Sequence, residues 1–381
     1  MKQGWTYKKL GELGTIVTGS TPSTKIKEYY CSNDYCFIKP SDLPAEGYQI
    51  IVESENYISS KGYEVSRKLP KGSVLVSCIG IIGKIAILGM DACTNQQINA
   101  IIPNEYVNNK FLAYSILSQR YVLSSVANAP VVPLINKSDF SKVEIPLPPL
   151  STQLSIVSEL DKINELIRLK REQLKDYDNL AQSIFYEMFG DPVVNEKGWE
   201  VKKLGDVCKF TQGTQVPIEE QHLSKENGLV QFLRIIDFTQ GKDAPRFVKC
   251  SNDKYILHER EIAIVRYGTP GFVCYGKIGA IANNLFKITP NQKDMFEFEF
   301  LVHWLNTEAF QSAVKSKQYG AALQAIKFST IQGINIIIPS LTVQRSFATR
   351  ISQIDKQKQY IEESITDLET LLASRMQYWF D

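Results

Sequence analysis

The sequence predicts an α+β chain in which two mixed α/β globules alternate with two long helices. Three observations lead there. Ser151–Phe189 contains neither Pro nor Gly and ends at Gly190-Asp191-Pro192. Thr342–Asp381 again contains neither. The landmarks that precede the first of these stretches return, in the same order, before the second.

In the first stretch apolar side chains recur at steps of four and three: Ile156, Leu160, Ile163, Ile167, Leu174, Tyr177, Ala181, Ile184 and Met188. Lys170 is the exception. This is a heptad seam on a single helix of about 55 Å, too long for one compact domain. It starts after Pro148-Pro149 and stops at Gly190, as helix punctuation requires. The second seam runs Phe347, Ile351, Ile354, Ile361, Ile365, Leu368, Leu372 and Trp379, with Lys358 and Arg375 as its polar members. An unpaired seam needs a partner. Because a whole globule separates the two helices, antiparallel packing is expected, with a pseudo-twofold axis across a coiled-coil spacer. Leu160, Ile163, Ile167, Leu174 and Ile184 are expected to meet Ile351, Ile354, Ile361, Ile365 and Leu368. The aromatic endings Phe185-Tyr186-Met188-Phe189 and Tyr378-Trp379-Phe380 are expected to pack under the globules.

The repeat fixes the organisation. Gly4-Trp5 with Lys8-Lys9-Leu10-Gly11-Glu12 matches Gly198-Trp199 with Lys202-Lys203-Leu204-Gly205-Asp206. Ile145-Pro146-Leu147-Pro148-Pro149-Leu150-Ser151-Thr152-Gln153 matches Ile336-Ile337-Ile338-Pro339-Ser340-Leu341-Thr342-Val343-Gln344. The expected boundaries are 1–150 and 191–341 for the globules, and 151–190 and 342–381 for the helices.

Bulk properties exclude more than they assign. The chain has 381 residues, enough for two cores, and a formal net charge of +2. The globules are mildly basic and the helices mildly acidic, which permits contact with nucleic acid. The 7 cysteines form no C-x-x-C and the 3 histidines are far apart. A zinc site is not expected, and a reduced, cytoplasmic protein is. Met1-Lys2-Gln3-Gly4-Trp5 lacks a signal-like apolar core, and no apolar run is long enough to cross a membrane.

Within the first globule, Gly11–Gly19 reads as a turn and short strand ending in the hydroxyl-rich loop Gly19-Ser20-Thr21-Pro22. Such a loop suits either phosphate binding or a plain surface turn. Tyr29-Tyr30…Tyr35–Ile38 is a strand candidate leading into the turn Lys39-Pro40-Ser41-Asp42. Gly72–Gly80 and Gly83–Leu88 are β-runs joined by a G-x-x-G turn. That turn lacks the spacing and following helix of a P-loop, and strands rather than helices flank it, unlike a KH loop. It is expected to present Lys84 at a rim. Thr94-Asn95-Gln96-Gln97 precedes the strand Ile98–Ile102. Its amides suit adenine readout or, equally, turn capping. Val107–Val126 reads as one or two helices burying Phe111, Leu112, Tyr114, Ser115, Leu117 and Tyr121. The second globule repeats this order at Phe210–Thr214, Gln231–Phe238, Glu261–Gly271, Asn283-Asn284 and Phe300–Lys315, with little identity between landmarks.

Taken together, the W-x-x-x-K-L-G-[ED] openings, the Lys39–Asp42 turn, the G-x-x-G runs, Asn95-Gln96 and the I-P-L-P-P-L-x-x-Q lead-ins resemble a type I restriction–modification DNA-specificity subunit over essentially the whole chain. The resemblance implies two target-recognition domains, each reading half of a split site on double-stranded DNA, with helices that set the gap. It implies two methyltransferase subunits and restriction motor–nuclease subunits as partners. It also implies S-adenosylmethionine and ATP with Mg on those partners, and no cofactor here. Expected DNA contacts are Lys39, Ser41, Ser77, Lys84, Asn95, Gln96 and Gln97 in the first domain. In the second they are Arg234, Arg266, Tyr267, Lys277, Asn283 and Asn284. The second domain departs from the first: Gly268-Thr269-Pro270-Gly271 lacks the lysine that follows Gly83, and Arg234 replaces Lys39.

Catalytic residues are not expected. Asp191-Pro192-Val193 is not the N/D-P-P-[FYW] run of an adenine methyltransferase. Glu200-Val201-Lys202 fits the E-x-K fragment of a metal nuclease, but its counterpart is Thr6-Tyr7-Lys8 and no paired acid stands out. The competing readings are a self-contained nuclease or methylase, a coiled-coil scaffold without DNA binding, and a specificity subunit of a combined restriction–modification enzyme outside type I.

Overall fold

The computed structural model describes residues 4–126, 133–239, 243–292, 294–316 and 325–381. The residues Met1–Gln3 of the N-terminal reading lie outside these. The chain divides into two compact units: Met1–Arg171 with Glu363–Asp381, and Glu172–Glu362.

In unit 1 the two landmarks of the repeat meet. Thr6–Lys9 pairs antiparallel with Glu144–Leu147, Lys8 opposite Ile145, and the Leu10 amide donates to the Val143 carbonyl at 2.9 Å. The main sheet comprises β1 (Gly14–Thr18), β2 (Tyr48–Ile51), β3 (Val74–Ser77), β4 (Ile85–Leu88) and β5 (Ile98–Pro103), in the order β1-β5-β3-β4-β2. All pairings are antiparallel except β4 with β2. The unbroken apolar runs of β3 and β4 follow from burial on both faces. Val74, Val76, Ile85 and Ile87 enter one core, while Leu75, Ala86 and Leu88 enter another. The first core is closed by Phe111 and Leu112 of the helix Asn109–Ser118 and by Ile156 and Leu160. A smaller sheet pairs Tyr35–Ile38 with Tyr57–Ile58 and, in parallel, with Ala92–Thr94.

Unit 2 repeats the plan. Glu200–Lys203 pairs with Asn335–Ile338, Lys202 opposite Ile336, and Leu204 donates to Ile334 at 2.8 Å. Its main sheet is β6 (Cys208–Gln212), β7 (Ile262–Val265), β8 (Val273–Cys274) and β9 (Leu285–Pro290), in the order β6-β9-β7-β8. Among the described residues β8 is the edge; nothing corresponds to β2. The core is aromatic: Phe185, Phe189, Phe300, Phe310, Phe347 and Trp304, each contributing about 1.5–3 kcal/mol on burial.

The central helix is Leu150–Phe189 and the C-terminal helix Leu341–Phe380, each of 40 residues and about 60 Å. In unit 1 the start of the central helix lies against the end of the other. Arg375 and Trp379 bond Glu159, and Arg171 meets Glu369 at 2.6 Å. In unit 2 Lys358 meets Asp178 at 2.6 Å and Arg350 approaches Glu187. The pairing is therefore antiparallel within each unit. Leu160, Ile163, Ile167, Ile351, Ile354, Ile361 and Ile365 are buried, and Leu174, Ile184 and Leu368 partly so.

Three expectations need correction. Tyr121 is 86% exposed, because the helical stretch breaks at Gln119 into two segments and turns it to solvent. Tyr29-Tyr30 forms a 3-10 turn, Lys27–Tyr30, rather than a strand. Of the helix endings, Phe185, Phe189 and Phe380 are buried in the cores, but Tyr378 stays exposed beside Arg375.

Candidate nucleic-acid interface

Four segments of unit 1 converge. The Gly19 and Ser20 amides donate to Ile98 and Thr94 at 3.0 and 2.9 Å, and Asn95 donates to Ile38. The Thr21 hydroxyl donates to Gln96 Oε1 at 2.6 Å. The Lys84 ammonium donates to the carbonyls of Pro40 and Leu43, both at 3.2 Å. The hydroxyl loop, the Lys39–Asp42 turn, the G-x-x-G hairpin and the Asn95–Gln97 turn are thus stitched into one surface. Gly19 is required by crowding: a Cβ there would lie 2.0 Å from the Asn95 carbonyl oxygen, and at its counterpart Gly213 2.2 Å from that of Ala282. The hairpin glycines Gly80 and Gly83 take φ of 76° and 78°, and Gly268 and Gly271 97° and 90°, left-handed values that disfavour any Cβ.

The expected contact residues divide by what their polar atoms are already doing. Ser77 is fully buried; its hydroxyl donates to the Ile81 carbonyl and accepts from the Lys84 amide. It holds the hairpin and presents nothing to a duplex. Asn95 is 8% exposed and closed on Gln97, donating to its Oε1 and accepting from its amide. Lys39 donates to Asn56 Oδ1 at 2.7 Å. Ser41 and Gln96 are exposed, and the Gln96 amino group has no partner among the described residues.

In unit 2 Arg234 binds Asp237 through Nε and Nη2, at 3.1 and 3.0 Å, while its amide donates to the same carboxylate. Its guanidinium is a turn brace, unlike the Lys39 ammonium, which leaves Asp42 to backbone donors at Lys39 and Glu55. Lys277 donates to the Asp237 carbonyl. It does for this turn what Lys84 does for Lys39–Asp42, although it follows Gly276 rather than the G-x-x-G turn. Tyr267 donates to Asn283 Oδ1 at 3.2 Å, and Asn283 donates to Gln215 Oε1 at 3.3 Å. Asn284 Oδ1 is buried without a donor. Arg266 is half-buried, its backbone tied to Asn284 and Ile326, and its guanidinium has no partner among the described residues. The supporting side chains Gln212, Gln215 and Arg67, which bond Asn283, Asn283 and Thr18 respectively, had no signal in the sequence beyond their polarity.

Neither surface offers catalytic machinery among the described residues. No group of three or more His, Cys, Asp or Glu is placed to hold a metal ion. Glu200 and Lys202 form a 3.0 Å ion pair with each other on an exposed strand. Burial pushes the thiols of Cys78, Cys93, Cys208 and Cys274 up, to about 11 for the first and about 12 for the others, far from nucleophilic range. No described helix is long and apolar enough to cross a membrane.

Comparison with known proteins bears on these paired surfaces. Residues 2–176 and 196–370 each match the type I restriction modification DNA specificity domain. The type I restriction enzyme MjaIX specificity subunit of Methanocaldococcus jannaschii is 29% identical over 381 aligned positions, covering 92% of this chain and 86% of its own. The HindI specificity subunit of Haemophilus influenzae is 36% identical over 151 positions, covering 38% of this chain and 32% of its own. A solved structure from work on assembly and conformational transition of the type I system aligns with a TM-score of 0.60 at 21% identity, covering 99% of this chain and 97% of that one. The crystal structure of the type I restriction–modification system S subunit from M. genitalium gives 0.54 at 14% identity, with coverage of 99% and 96%. At those identities the likeness speaks to fold, two repeated domains with long helices. With both repeats matched across most of the chain, this protein belongs to the type I restriction–modification DNA-specificity family, as a specificity subunit rather than a catalytic one.

Proposed function

We propose that residues 1–150 and 191–341 are two target-recognition domains, each reading one half of a bipartite, asymmetric site on double-stranded DNA. The observation that carries this is a shared framework with different free groups. Both units brace the same turn with a lysine, at Lys84 and Lys277, and both stand a glycine against the following turn. What remains uncommitted differs: Gln96 and Ser41 in unit 1, Arg266 in unit 2. A glutamine suits adenine and an arginine suits guanine in the major groove. Lys39, Lys84 and Lys277 have neutral oxygens as hydrogen-bond partners and supply phosphate affinity without sequence information. Asn95, Gln97, Asn283, Asn284 and Tyr267 shape the readers, while Ser77 and Arg234 hold the turns.

In this reading two methyltransferase subunits and motor–nuclease subunits act where this chain directs them, in the cytoplasm. S-adenosylmethionine and ATP with Mg are carried by those partners, and the methyltransferase flips the adenine out of the duplex. The helices act as a spacer ruler. Ala181 lies in the core of unit 2, so a heptad inserted there would damage packing. Lys170–Asp176 belongs to neither globular core, and is the place to lengthen the central helix, with a heptad added to the C-terminal helix as well.

Single-molecule sequencing of methylated adenines in cells carrying the subunit and its methyltransferase tests the reading. Arg266→Ala should relax one half-site and Gln96→Ala the other, each at about 1–3 kcal/mol of discrimination. A paired heptad insertion should alter the gap alone. Unchanged motifs in both point variants would overturn the assignment of readers, and an unchanged gap would overturn the ruler.

A further inference from the structure

Unit 2 contains a cavity of about 350 Å³ where the helix Phe298–Leu305 meets the two long helices. Its lining includes Asp355, His303, Tyr275, Gln182, Asp178 and Lys358. Lys358 is matched to Asp178 at 2.6 Å. The Asp355 carboxylate has no hydrogen-bond donor among the described residues. Partial burial holds it above the usual carboxylate range despite Lys358, and the charges of Glu299 and Asp178 push the same way. His303 makes an edge contact with Phe347, 5.2 Å between centroids, and its imidazole has no hydrogen-bond partner among the described residues. Burial first, and Lys358 second, push it down to about 4, so at neutral pH it is an uncharged acceptor.

The same place in unit 1 is filled. Counting from the buried glutamines Gln153 and Gln344, Asn164 stands where Asp355 does and Asp161 where Ser352 does; Tyr114 takes the place of His303. There an aromatic ring and a cation of the chain itself complete the site. Tyr48 packs on Tyr114 at 5.1 Å, and Lys110 Nζ lies 2.6 Å from Asp161. Tyr48 arrives on β2, which has no counterpart among the described residues of unit 2, and Lys110 is replaced by Glu299, itself bound to Arg260.

We propose that this cavity is a socket for an arginine side chain of a protein partner, the methyltransferase subunit. This inference rests on the partner reading above. A guanidinium fits the vacant chemistry: two parallel bonds to Asp355, an acceptor at His303, and the Tyr275 ring as a stacking face. With Asp178 matched to Lys358, the Asp355 carboxylate is the acid left to repel phosphate, which sets the socket apart from the DNA-reading surface. Arginine, unlike lysine, uses both oxygens of one carboxylate and the ring at once.

The test uses the full chain with its methyltransferase subunit. Wild type, Asp355→Asn and Asp355→Glu are compared by native mass spectrometry and by dissociation kinetics of the complex. Asp355→Asn should weaken one methyltransferase copy roughly 10- to 100-fold, leaving the other bound; Asp355→Glu should recover most of the loss. Because Asp355 has no donor among the described residues, Asp355→Asn should leave the Tm of the free chain equal or higher, which excludes unfolding as the cause. A photo-reactive benzoylphenylalanine at Gln182 should crosslink to a methyltransferase peptide containing arginine. Equal affinity of wild type and Asp355→Asn, or a crosslinked peptide without arginine, overturns the socket while leaving the partner reading intact. No binding of the methyltransferase to wild type overturns both.

Discussion

The two junctions between globule and long helices share a scaffold and differ in what occupies it. In unit 1 Asp161 accepts from Tyr48, Tyr114 and Lys110 at 2.9, 2.8 and 2.6 Å, and Asn164 donates to the Tyr114 hydroxyl at 3.0 Å. That network is complete. In unit 2 the equivalent space is open, and its carboxylate and imidazole have no hydrogen-bond partner among the described residues. The anchor beneath both is the same. Gln153 accepts from the Asn108 amide at 2.9 Å and donates to Tyr106 and Pro148, both at 3.0 Å. Gln344 accepts from Glu297 at 2.9 Å and donates to Met295 and Pro339 at 3.2 and 2.8 Å. Duplication has kept what positions the helices and let the lining of the junction drift.

The sharpest way to break that comparison is at the anchors. Both glutamines are fully buried. Gln153→Leu and Gln344→Leu each remove three hydrogen bonds and strand buried backbone groups, at a cost of about 3–4 kcal/mol. The losses should agree to within about 1 kcal/mol, each confined to its own unit, as read by hydrogen exchange on peptides from each. A tolerated substitution in one unit would show that the anchor is not shared.

These anchors were visible in the sequence as the glutamine closing each I-x-x-P-x-L-x-x-Q lead-in. The strand pairing of that lead-in with the W-x-x-x-K-L-G opening rests on residues named from the repeat. The helical seams were legible because a period of 3.5 is local, and so were the glycine turns, whose backbone needs are local too. The difference between junctions was not. It depends on β2 joining the far edge of a sheet in parallel with β4, a non-local pairing with no periodicity of its own. The reader surfaces were legible as segments and obscure as atoms. Ser77 and Asn95 look alike in sequence to an exposed hydroxyl and amide, and only their neighbours show them spent. The sequence offers Lys277 as a contact candidate but not its bracing role, because it reaches the turn from a different loop than Lys84.

A second contrast lies in acid. His303 is lowered from an ordinary 6.5 to about 4, so it contributes stability above pH 6.5 that is lost as pH falls toward 4, at most about 3 kcal/mol. Asp178, Asp355, Lys358 and Tyr275 face it. The raised Asp355 carboxyl works in the opposite direction, gaining stability as it protonates. The informative quantity is therefore the difference between wild type and His303→Leu across pH 7 to 4, by thermal unfolding of unit 2. His303→Leu should flatten the decline. Tyr114, at the same place in unit 1, gains no proton in that window, so unit 1 should show no matching term. An identical slope in both proteins would remove His303 from the account.

The smallest effect separates a filled junction from an open one most directly. Tyr48→Phe keeps the ring that packs on Tyr114 and deletes one hydroxyl that donates to Asp161. The loss should be about 1 kcal/mol, the net value of a hydrogen bond between partly buried groups. Tyr275→Phe is the matched change in unit 2. Its hydroxyl has no partner among the described residues, and its ring stays in edge contact with Phe298 at 5.8 Å. It should shift stability by less than about 0.5 kcal/mol. Urea unfolding of both variants checks the pair. If Tyr275→Phe cost as much as Tyr48→Phe, the unit 2 junction would already be internally satisfied, and nothing would be left there for a partner to complete.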